Sequence, residues 1–499
     1  MLNYAVAQGG APTRVAVRPT VRSILAAVLN TPSARRAVSV AAGLAASMIA
    51  SAAALAEDAP PVIDTGDTAW VLVSSALVLM MTLPGLALFY GGLVRSKNVL
   101  NVLMQCFISA GIVGVLWILV GYSLAFGTGN SFIGDLSKAG LASVTMDSVT
   151  ANFATPPRNI PEYVFIMFQA MFAIITPALI LGAIAERMRF GVWCAFITIW
   201  FLVVYCPVAH MVWASEGWIF KSGAIDFAGG LVVHMTSGFS ALAAALILGK
   251  RQGLGRDPMP PHSLPLCLIG AGLLWTGWFG FNAGSALSAS PLAALAFLNT
   301  STAASTAIVV WALVERLHRG KPTALGGATA LVAGLVAITP ACGNVSPAGA
   351  IAVGTGVALI SYAACTFLKP ALGYDDSLDV FGVHALGGAW GALASGIFAV
   401  TLGSGIESNA QQIMVQLRGI VFVAVFAPLA TVAIMLGLRL VFGSLRVAEE
   451  DEALGLDLSE HSESAYGLAA SGSVAPEAFT HGGAFGLGMV ARPEHERLA

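Results

Sequence analysis

Apolar residues along this chain are gathered into long runs that are separated by short polar stretches. Most of the runs reach about 20 residues, the length that an α-helix needs to cross roughly 30 Å of hydrocarbon. Eleven such segments occur, at approximately residues 68–92, 99–126, 161–185, 190–210, 227–249, 263–283, 292–314, 323–340, 346–368, 380–402 and 413–443. The pattern predicts an all-α polytopic membrane protein with eleven transmembrane helices.

Basic residues divide unequally between the two sides of the predicted membrane. If the N-terminus is outside, the inner side holds thirteen of them: Arg95, Lys97, Arg187, Arg189, Lys250, Arg251, Arg256, Arg316, Arg319, Lys321, Lys369, Arg439 and Arg446. The outer side then holds four: Lys138, Arg158, Lys221 and Arg418. Short cytoplasmic loops collect Lys and Arg, so the first helix is predicted to start outside and the C-terminus to lie in the cytoplasm.

Composition agrees with a membrane protein, because 57% of the residues are hydrophobic and 10% are charged. A soluble domain carries about a quarter charged residues. The net charge of −2 gives no sign of a nucleic-acid partner. The six cysteines lie in apolar segments without a CxxC spacing, which indicates small core residues rather than disulfides or a metal site.

The first 56 residues have the features of a cleavable signal peptide. Arginines precede the Ala-rich stretch AVSVAAGLAASMIASAAALA, which ends in Ala54-Leu55-Ala56. A basic region, an apolar region and an A-x-A site are the three parts of such a peptide. Cleavage is predicted after Ala56, which leaves residues 57–445 as the membrane domain. The alternative is a twelfth membrane helix, although the segment is only mildly hydrophobic.

Two stretches resemble each other: DFAGGLVVHMTSG from Asp226 and DVFGVHALGG from Asp379. Their histidines, His234 and His384, fall in the fifth and tenth predicted helices. A repeat of five helices crosses the membrane an odd number of times, so its second copy must be inverted. The predicted fold is thus two inverted five-helix repeats and a long C-terminal helix. Inverted repeats commonly place a transport pathway at their interface, where the two histidines should face each other.

Several further motifs occur in a fixed order over roughly residues 66–467. They are GDTAWVLVSSALVLMMTLPGLALFYGGLVRSKNVL, AHMVW, DFAGGLVVH, GWFGFNAGSA, TPACG and DVFGVH. In these motifs the chain resembles the ammonium transporter family (Amt/Mep/Rh). Trp213, the last residue of AHMVW, favours the bacterial Amt branch over the Rh branch. The resemblance implies a transporter of ammonium and methylammonium rather than an enzyme, with no cofactor and no metal.

The resemblance also implies a role for particular residues. Phe168, Phe172, Trp213 and Ser285 should line an outer ammonium site, where aromatic faces attract a cation and the hydroxyl accepts a hydrogen bond. Phe172 and Phe281 should be stacked rings that close the pore below that site. His234 and His384 should line the pore beyond the rings. Taken alone, Trp213 also fits a belt residue at the membrane interface, and the phenylalanines and histidines fit ordinary core packing.

The implied mechanism separates the proton from the nitrogen. Ammonium is recruited outside, gives up a proton near the rings, crosses an apolar lumen as ammonia and regains a proton inside. Moving the intact ion through a dry pore would be opposed by tens of kcal/mol, and potassium has no proton to lose. The sequence leaves open whether the proton crosses through the histidine pair. It also leaves two alternatives: an ammonium sensor with little flux, and a membrane enzyme that uses the histidines with a metal.

Two aspartates near the histidines have open roles. Asp226 either attracts the cation through space or accepts backbone N–H bonds that hold the outer site together, and the second role is favoured because a contacting carboxylate would also welcome potassium. Asp379 is predicted to cap the N-terminus of the tenth helix, where a negative charge is favourable. Neither aspartate has the further ligands that a metal site requires.

The C-terminal region after the last helix divides into two parts. Residues 446–467 resemble the regulatory C-terminus of the family, which packs on inner loops and on the neighbouring subunit. Leu454 and Ser462 depart from the family pattern, which often has an acidic residue and a glycine there. Residues 468–499 are predicted to be disordered. The resemblance further implies a homotrimer in the bacterial inner membrane, regulated by a PII-type signal protein at the cytoplasmic face.

Overall fold

The computed structural model describes residues 31–33, 35–36, 38–43, 47, 62–150 and 159–466. The predicted cleavage site after Ala56 and the predicted disordered tail 468–499 lie outside the described residues. The chain forms two units, Met1–Val62 and Ile63–Ala499. In the first unit most of the described residues are helical and all of them are exposed. The second unit contains every element considered below.

The second unit is built of helices, and within the described residues only isolated β-bridges occur beside them. Each apolar segment that the sequence predicts coincides with a helix. They are α1 (Thr65–Leu93), α2 (Ser96–Phe126), α3 (Glu162–Ile184), α4 (Phe190–Trp200, continued to Cys206–Trp213), α5 (Gly230–Leu248), α6 (Leu264–Gly284), α7 (Pro291–Arg319), α8 (Ala324–Ile338), α9 (Pro347–Leu372), α10 (Phe381–Ala385, continued by Leu386–Ile397) and α11 (Asn409–Phe442).

Nine of these helices in the described residues are long and apolar enough to cross a membrane. The exceptions are α8, with 15 residues, and α10, whose regular part Leu386–Ile397 has 12. Both continue into turns that are buried by protein, where irregular backbone is tolerated at membrane depth. The protein is therefore a multi-pass membrane protein, and α8 and α10 are the two predicted crossings that fall short of this length within the described residues.

Many helices start at a short polar side chain that the sequence places just before the apolar run. At such a position the side-chain oxygen of Ser or Thr accepts the backbone N–H of the residue three positions later. This satisfies one of the N–H groups at the helix start that have no partner within the helix. Proline often follows, because it needs no hydrogen bond there. The capping residues are Ser263 of α6, Ser290 of α7, Thr323 of α8, Ser346 of α9 and Ser408 of α11.

The helices differ in how far they are buried. α3 lies at the centre and is buried along nearly its whole length, whereas α11 runs along the outside. Exposed apolar side chains of α11 include Leu429, Leu440 and Val441. Such a surface is unfavourable in water but matches the hydrocarbon of a bilayer. The site described below is accordingly formed around α3 and not around the peripheral helices.

The start of α10 differs from the sequence prediction. Its cap is Asp376, whose Oδ2 accepts the N–H of Phe381 at 2.7 Å. Asp379, the predicted cap, has a left-handed backbone with φ of 61°. Its carboxylate pairs instead with Lys369, Nζ to Oδ1 at 2.7 Å. The prediction that Asp379 caps α10 is wrong, because the left-handed turn directs its side chain to the end of α9.

Beyond α11 the chain forms two short helices, α12 (Glu449–Leu454) and α13 (Leu456–His461). They pack on the starts of α2 and α4 of the same chain through carboxylates that accept backbone N–H groups. Asp457 Oδ1 accepts the N–H of Asn101 near the start of α2 at 2.9 Å. Glu460 Oε2 accepts that of Phe190 at the start of α4 at 2.7 Å. A carboxylate is favourable at a helix N-terminus, so the C-terminal region stabilises the starts of α2 and α4.

Candidate functional site

His234 and His384 lie in equivalent places, each within a π-helical turn that opens its helix. His234 belongs to Gly230–Met235 at the start of α5, and His384 to Phe381–Ala385 at the start of α10. Their Nδ1 atoms are 3.2 Å apart and their ring centroids 5.3 Å apart. Both side chains are buried. Two neutral imidazoles at this distance share one hydrogen bond, in which one Nδ1–H donates to the bare Nδ1 of the other.

The close approach of the two turns depends on a glycine four residues after each histidine. A Cβ on Gly238 would lie 2.3 Å from the backbone nitrogen of Ala385, next to His384. A Cβ on Gly388 would lie 3.1 Å from the Cβ of His234. Small residues allow membrane helices to pack backbone to backbone. The reciprocal glycines therefore set the distance between α5 and α10, and with it the distance between the imidazoles.

A cavity of about 300 Å³ is lined by four of the residues predicted for the outer site, and it is called the outer cavity after that prediction. They are Phe172, Trp213, Asp226 and Ser285. The indole N–H of Trp213 donates to the carbonyl of Asp226 at 2.9 Å. The hydroxyl of Ser285 donates to the carbonyl of Phe281 at 2.8 Å. Because its hydrogen is used in that bond, the Ser285 oxygen can only accept from a molecule in the cavity.

Asp226 binds the backbone at the start of α5. Its Oδ1 accepts from the amides of Gly229 and Gly230, and its Oδ2 accepts from those of Leu231 and Val232. The turn needs glycine at Gly229, whose φ of 116° is rarely adopted by other residues. Four N–H bonds to one buried carboxylate are the arrangement expected of the structural role that the sequence analysis favours for Asp226.

The rings of Phe172 and Phe281 lie between the outer cavity and the space below, and they pack at an interplanar angle of 42° rather than as the stacked pair that the resemblance implies. The centroids of Phe172 and Phe281 are 4.3 Å apart, and that of Trp213 is 5.7 Å from Phe172. Phe172 lines the outer cavity, whereas Phe281 lines the next one. Phe168 differs from the expectation for it: its side chain is fully buried and does not line the outer cavity, but packs against Phe172 at 5.0 Å.

Below the rings lies a small chamber of about 10 Å³, bordered by Phe281, His234 and His384. Measured in this way, that volume admits about one water-sized molecule. The other borders are apolar apart from the tryptophan and tyrosine of Trp278 and Tyr90. The Nε2 of His234 is buried without a hydrogen-bond partner in the described residues. A molecule in the chamber would therefore meet one free imidazole nitrogen in otherwise apolar surroundings.

An inner cavity of about 200 Å³ follows on the far side of His384. Tyr90 and His384 line both the chamber and this cavity, so the two spaces are neighbours. The inner cavity also contains Arg251 and Asp379. Its charged lining is suited to water, in contrast to the chamber. The three spaces thus form a series from a wide outer opening through a single-molecule constriction to a polar inner opening.

Buried ion pairs connect the loops beside the inner cavity. Glu186 pairs with Arg95 at 2.9 Å and with Arg251 at 3.0 Å, and Arg251 also pairs with Asp375 at 2.9 Å. Burial acts to raise the pKa of Glu186, but the adjacent guanidinium groups of Arg251 and Arg95 hold it below its ordinary value. The carboxylate is thus charged at neutral pH, and the network ties the loops after α1, α3 and α5 to the segment before α10.

One residue of the outer cavity escapes the sequence analysis. Gln169 lines the cavity next to Phe172, and its Oε1 is buried without a hydrogen-bond partner in the described residues. The sequence feature that could have identified Gln169 is a polar amide in the otherwise apolar run FQAMF. Gln169 thus brings an amide whose oxygen is an unused acceptor to the wall of this cavity.

Among residues 62–150 and 159–466, no three His, Cys, Asp or Glu side chains lie close enough together to hold a metal ion. His234 and His384 could offer a metal ion two imidazole nitrogens, but no third ligand lies beside them in the described residues. The site offers aromatic faces, hydrogen-bond acceptors and imidazole nitrogens, which suit a small hydrogen-bonding cation or its neutral base.

Comparisons with known proteins match nearly all of the membrane unit. A sequence model of the Ammonium Transporter Family matches residues 69–466. A relative named ammonium transporter from Bacillus subtilis is 46% identical over 407 residues, covering 80% of this chain and 98% of the relative. Among solved structures, Mep2 of Candida albicans is 35% identical, with a TM-score of 0.71 over 78% of this chain and 87% of that one. A sensor Amt protein is 30% identical, with a TM-score of 0.73 over 79% and 98%.

Proposed function

The chain belongs to the ammonium transporter family, and on that premise we propose that it moves ammonium across the membrane by passing ammonia through the chamber between the phenylalanines and the histidines. It is a transporter-family protein and not an enzyme. The observation that carries the proposal is the series of three cavities, whose narrowest part has room for about one small molecule beside His234 and His384.

Recruitment takes place in the outer cavity. The faces of Phe172 and Trp213 attract a cation by roughly 1–2 kcal/mol each when water is excluded. The Ser285 oxygen accepts one N–H of ammonium. Potassium is also attracted by the aromatic rings, but it has no hydrogen to donate to the oxygen of Ser285. The site therefore prefers a cation that can donate a hydrogen bond.

Deprotonation takes place between the outer cavity and the chamber. Below Phe172 and Phe281 the surroundings are apolar, and a desolvated ion there would be opposed by tens of kcal/mol. Ammonia is uncharged and as small as water, so it fits the chamber without that penalty. An ion without a removable proton has no equivalent neutral form, and it stays outside.

The histidines give ammonia a hydrogen-bonding partner in the chamber. When His384 donates its Nδ1–H, His234 carries its own hydrogen at Nε2, which then donates to the ammonia nitrogen. When the shared hydrogen belongs to His234, its Nε2 is bare and accepts from ammonia instead. In the second arrangement the bare Nε2 of His234 is able to take up the proton that ammonium leaves behind, while the Nδ1 hydrogen of His234 passes to His384 and His384 releases its Nε2 hydrogen towards the inner cavity.

The placement of the chain in the cell is proposed from the sequence patterns described above together with the family. We assign residues 1–56 to a signal peptide, residues 57–445 to the transport domain with eleven crossings in two inverted repeats, and residues 446–467 to a regulatory region. The N-terminus is periplasmic and the C-terminus cytoplasmic, in the inner membrane of a bacterium. Three copies assemble, each with its own pore, and a PII-type protein binds the cytoplasmic face.

A sensor with little flux is the second candidate, supported by the likeness to a sensor Amt protein. A sensor would use the outer cavity alone, because binding of ammonium there does not require passage. Its pore below the rings would be sealed, whereas the present chamber and inner cavity share the lining residues Tyr90 and His384. This shared lining favours transport.

Uptake of labelled methylammonium into liposomes that contain the purified chain tests the proposal. We expect saturable uptake well above that of empty liposomes, and competition by ammonium but not by potassium. Binding of ammonium to the purified chain without uptake would identify the sensor. Absence of both binding and uptake would reject the function as a whole.

Replacement of Trp213 by leucine is expected to weaken capture in the same assay. Loss of one aromatic face should raise the concentration for half-maximal uptake about tenfold. The melting temperature should change little, because the indole is only partly buried. Trp218→Leu serves as the control, since Trp218 packs on Phe422 and does not line the outer cavity. An unchanged concentration dependence in Trp213→Leu would contradict the assignment.

Ser462→Gly is expected to hold the regulatory region more firmly in place. Ser462 ends α13 with a left-handed backbone, φ of 55°, which is unfavourable by about 1 kcal/mol for a residue with a Cβ. Glycine should therefore slow proteolytic cleavage of the region several-fold. Ser459→Gly, inside α13, should act in the opposite direction because glycine weakens a helix interior. Equal cleavage rates in the two variants would show that backbone strain at Ser462 does not limit docking.

A further inference from the structure

Two exposed arginines mark the ends of the membrane-crossing part of α11. Arg418 and Arg439 enclose the 20 residues from Gly419 to Leu438, none of which is charged. Twenty helical residues extend about 30 Å, which equals the hydrocarbon thickness of a typical bilayer. Both guanidinium groups therefore lie where hydrocarbon gives way to lipid headgroups, one at each surface.

Arg439 borders a cavity at its end of α11. A space of about 310 Å³ lies beside the end of α11, and Arg439, Ser444, Arg446 and Leu248 are part of its wall. The guanidinium of Arg446 is already engaged, with Glu452 at 2.5 Å and with the carbonyl of Lys250 at 2.6 Å. The cavity is thus a preformed polar space and not simply a position on the helix surface.

The guanidinium of Arg439 remains without a partner. No hydrogen bond, ion pair or aromatic contact joins it to another group in the described part of the chain. Arg189 adds a further positive charge, because its Nη1 donates to the carbonyl of Ser444 at 3.3 Å. The carboxylate of Glu452 pairs with Arg446 and is not part of the cavity lining. The cavity lining itself therefore carries two guanidinium groups, those of Arg439 and Arg446, and no carboxylate.

Apolar surface adjoins the same cavity. Leu440 and Val441, which follow Arg439, are 88% and 78% exposed, and Leu246 near the end of α5 is 62% exposed. A ligand that fits both the positively charged cavity and the apolar surface beside it must carry a negative group and a hydrocarbon chain. A free anion would fit only the cavity.

We propose that the cavity at the end of α11 binds the phosphate group of an anionic glycerophospholipid, with Arg439 as its main partner and the acyl chains along Leu440, Val441 and Leu246. An arginine fork matches a phosphate by two parallel hydrogen bonds, and basic residues at a membrane surface attract anionic lipids. The site is separate from the transport pathway, so it stands whether or not the chain transports ammonium.

Native mass spectrometry of the purified full chain in detergent tests this site, with phosphatidylglycerol and phosphatidylcholine of equal chain length as probes. The wild type should bind at least one phosphatidylglycerol more tightly than phosphatidylcholine. In Arg439→Gln the Kd for that phosphatidylglycerol should rise about fivefold, the effect of one basic residue near a membrane surface. Arg418→Gln, the matched exposed arginine at the other end of the same crossing, should retain the wild-type Kd.

Two further measurements keep the assignment open to refutation. Arg439→Lys keeps the positive charge but loses the two parallel N–H donors of the guanidinium, so its Kd should lie between those of the wild type and Arg439→Gln. If Arg439→Gln does not fold, Arg439→Lys takes its place in the test. Inorganic phosphate and glycerol phosphate at millimolar concentration should compete weakly. Equal losses in Arg439→Gln and Arg418→Gln would overturn the proposal, and so would full displacement of the lipid by inorganic phosphate, which would assign the cavity to a soluble anion.

Discussion

Replacing His384 with alanine is expected to lower methylammonium uptake by at least about tenfold, equivalent to an added barrier of roughly 1.4 kcal/mol. His384 borders both the chamber and the inner cavity, so its loss removes the lining at the narrowest part of the pathway. It also leaves the Nδ1 of His234 without its partner, and a buried polar atom without a hydrogen bond is unfavourable by about 1–3 kcal/mol. His234→Ala should act similarly, because the shared hydrogen bond needs both rings.

The control for these variants is another histidine outside the pathway. His318 bonds to the hydroxyl of Tyr362 at 2.7 Å near the end of α7 and lines none of the three cavities. His318→Ala should retain uptake close to that of the wild type. The double variant His234→Ala/His384→Ala should be no worse than the product of the single effects. Wild-type uptake in both single variants would refute the role of the pair.

Replacing Asp226 with alanine is expected to abolish uptake and to lower the melting temperature by several degrees. Four backbone N–H groups at the start of α5 would lose their acceptor, and each buried orphan is unfavourable by about 1–3 kcal/mol. The turn that they stabilise carries His234. Asp226→Asn should have a smaller but similar effect, because the amide nitrogen would face two N–H groups instead of accepting from them.

The melting temperature distinguishes the two roles that Asp226 could have. If the carboxylate attracts the cation through space, Asp226→Asn should weaken capture while the protein stays as stable as the wild type. If it holds the turn, stability and uptake should fall together, which is the expected result. Glu216→Gln provides the control for long-range attraction, since Glu216 is an exposed acid that is paired with Lys221. A stable Asp226→Ala variant with normal uptake would exclude both roles.

Sequence patterns locate the parts of this fold that depend on hydrophobicity and repetition. Runs of apolar residues coincide with helices α1–α11, because any segment that is buried in protein or lipid must satisfy its backbone internally. The repeat of Val-His predicts paired imidazoles, and His234 and His384 lie 3.2 Å apart. A repeat identifies equivalent positions without reference to any contact, which is why the pairing is visible in a single sequence.

Features that depend on local backbone direction are not visible in the same way. Asp376 and Asp379 are both aspartates ahead of α10, and only the left-handed turn at Asp379 decides which of them reaches the helix start. Phe168 and Phe172 lie on one face of α3, yet only Phe172 extends into the outer cavity. The lengths of α8 and α10 follow from buried turns at their ends. Hydropathy indicates which segments are buried, but not the backbone and side-chain directions within them.

A constriction with room for one molecule makes the pathway single-file. Two substrate molecules cannot exchange places beside His234 and His384, so a labelled molecule advances only after the molecule ahead of it has departed. Unlabelled ammonium supplied on both sides of the membrane should thus slow tracer entry more than it slows net flow. Isotope exchange at equilibrium would then understate the conductance of the pore.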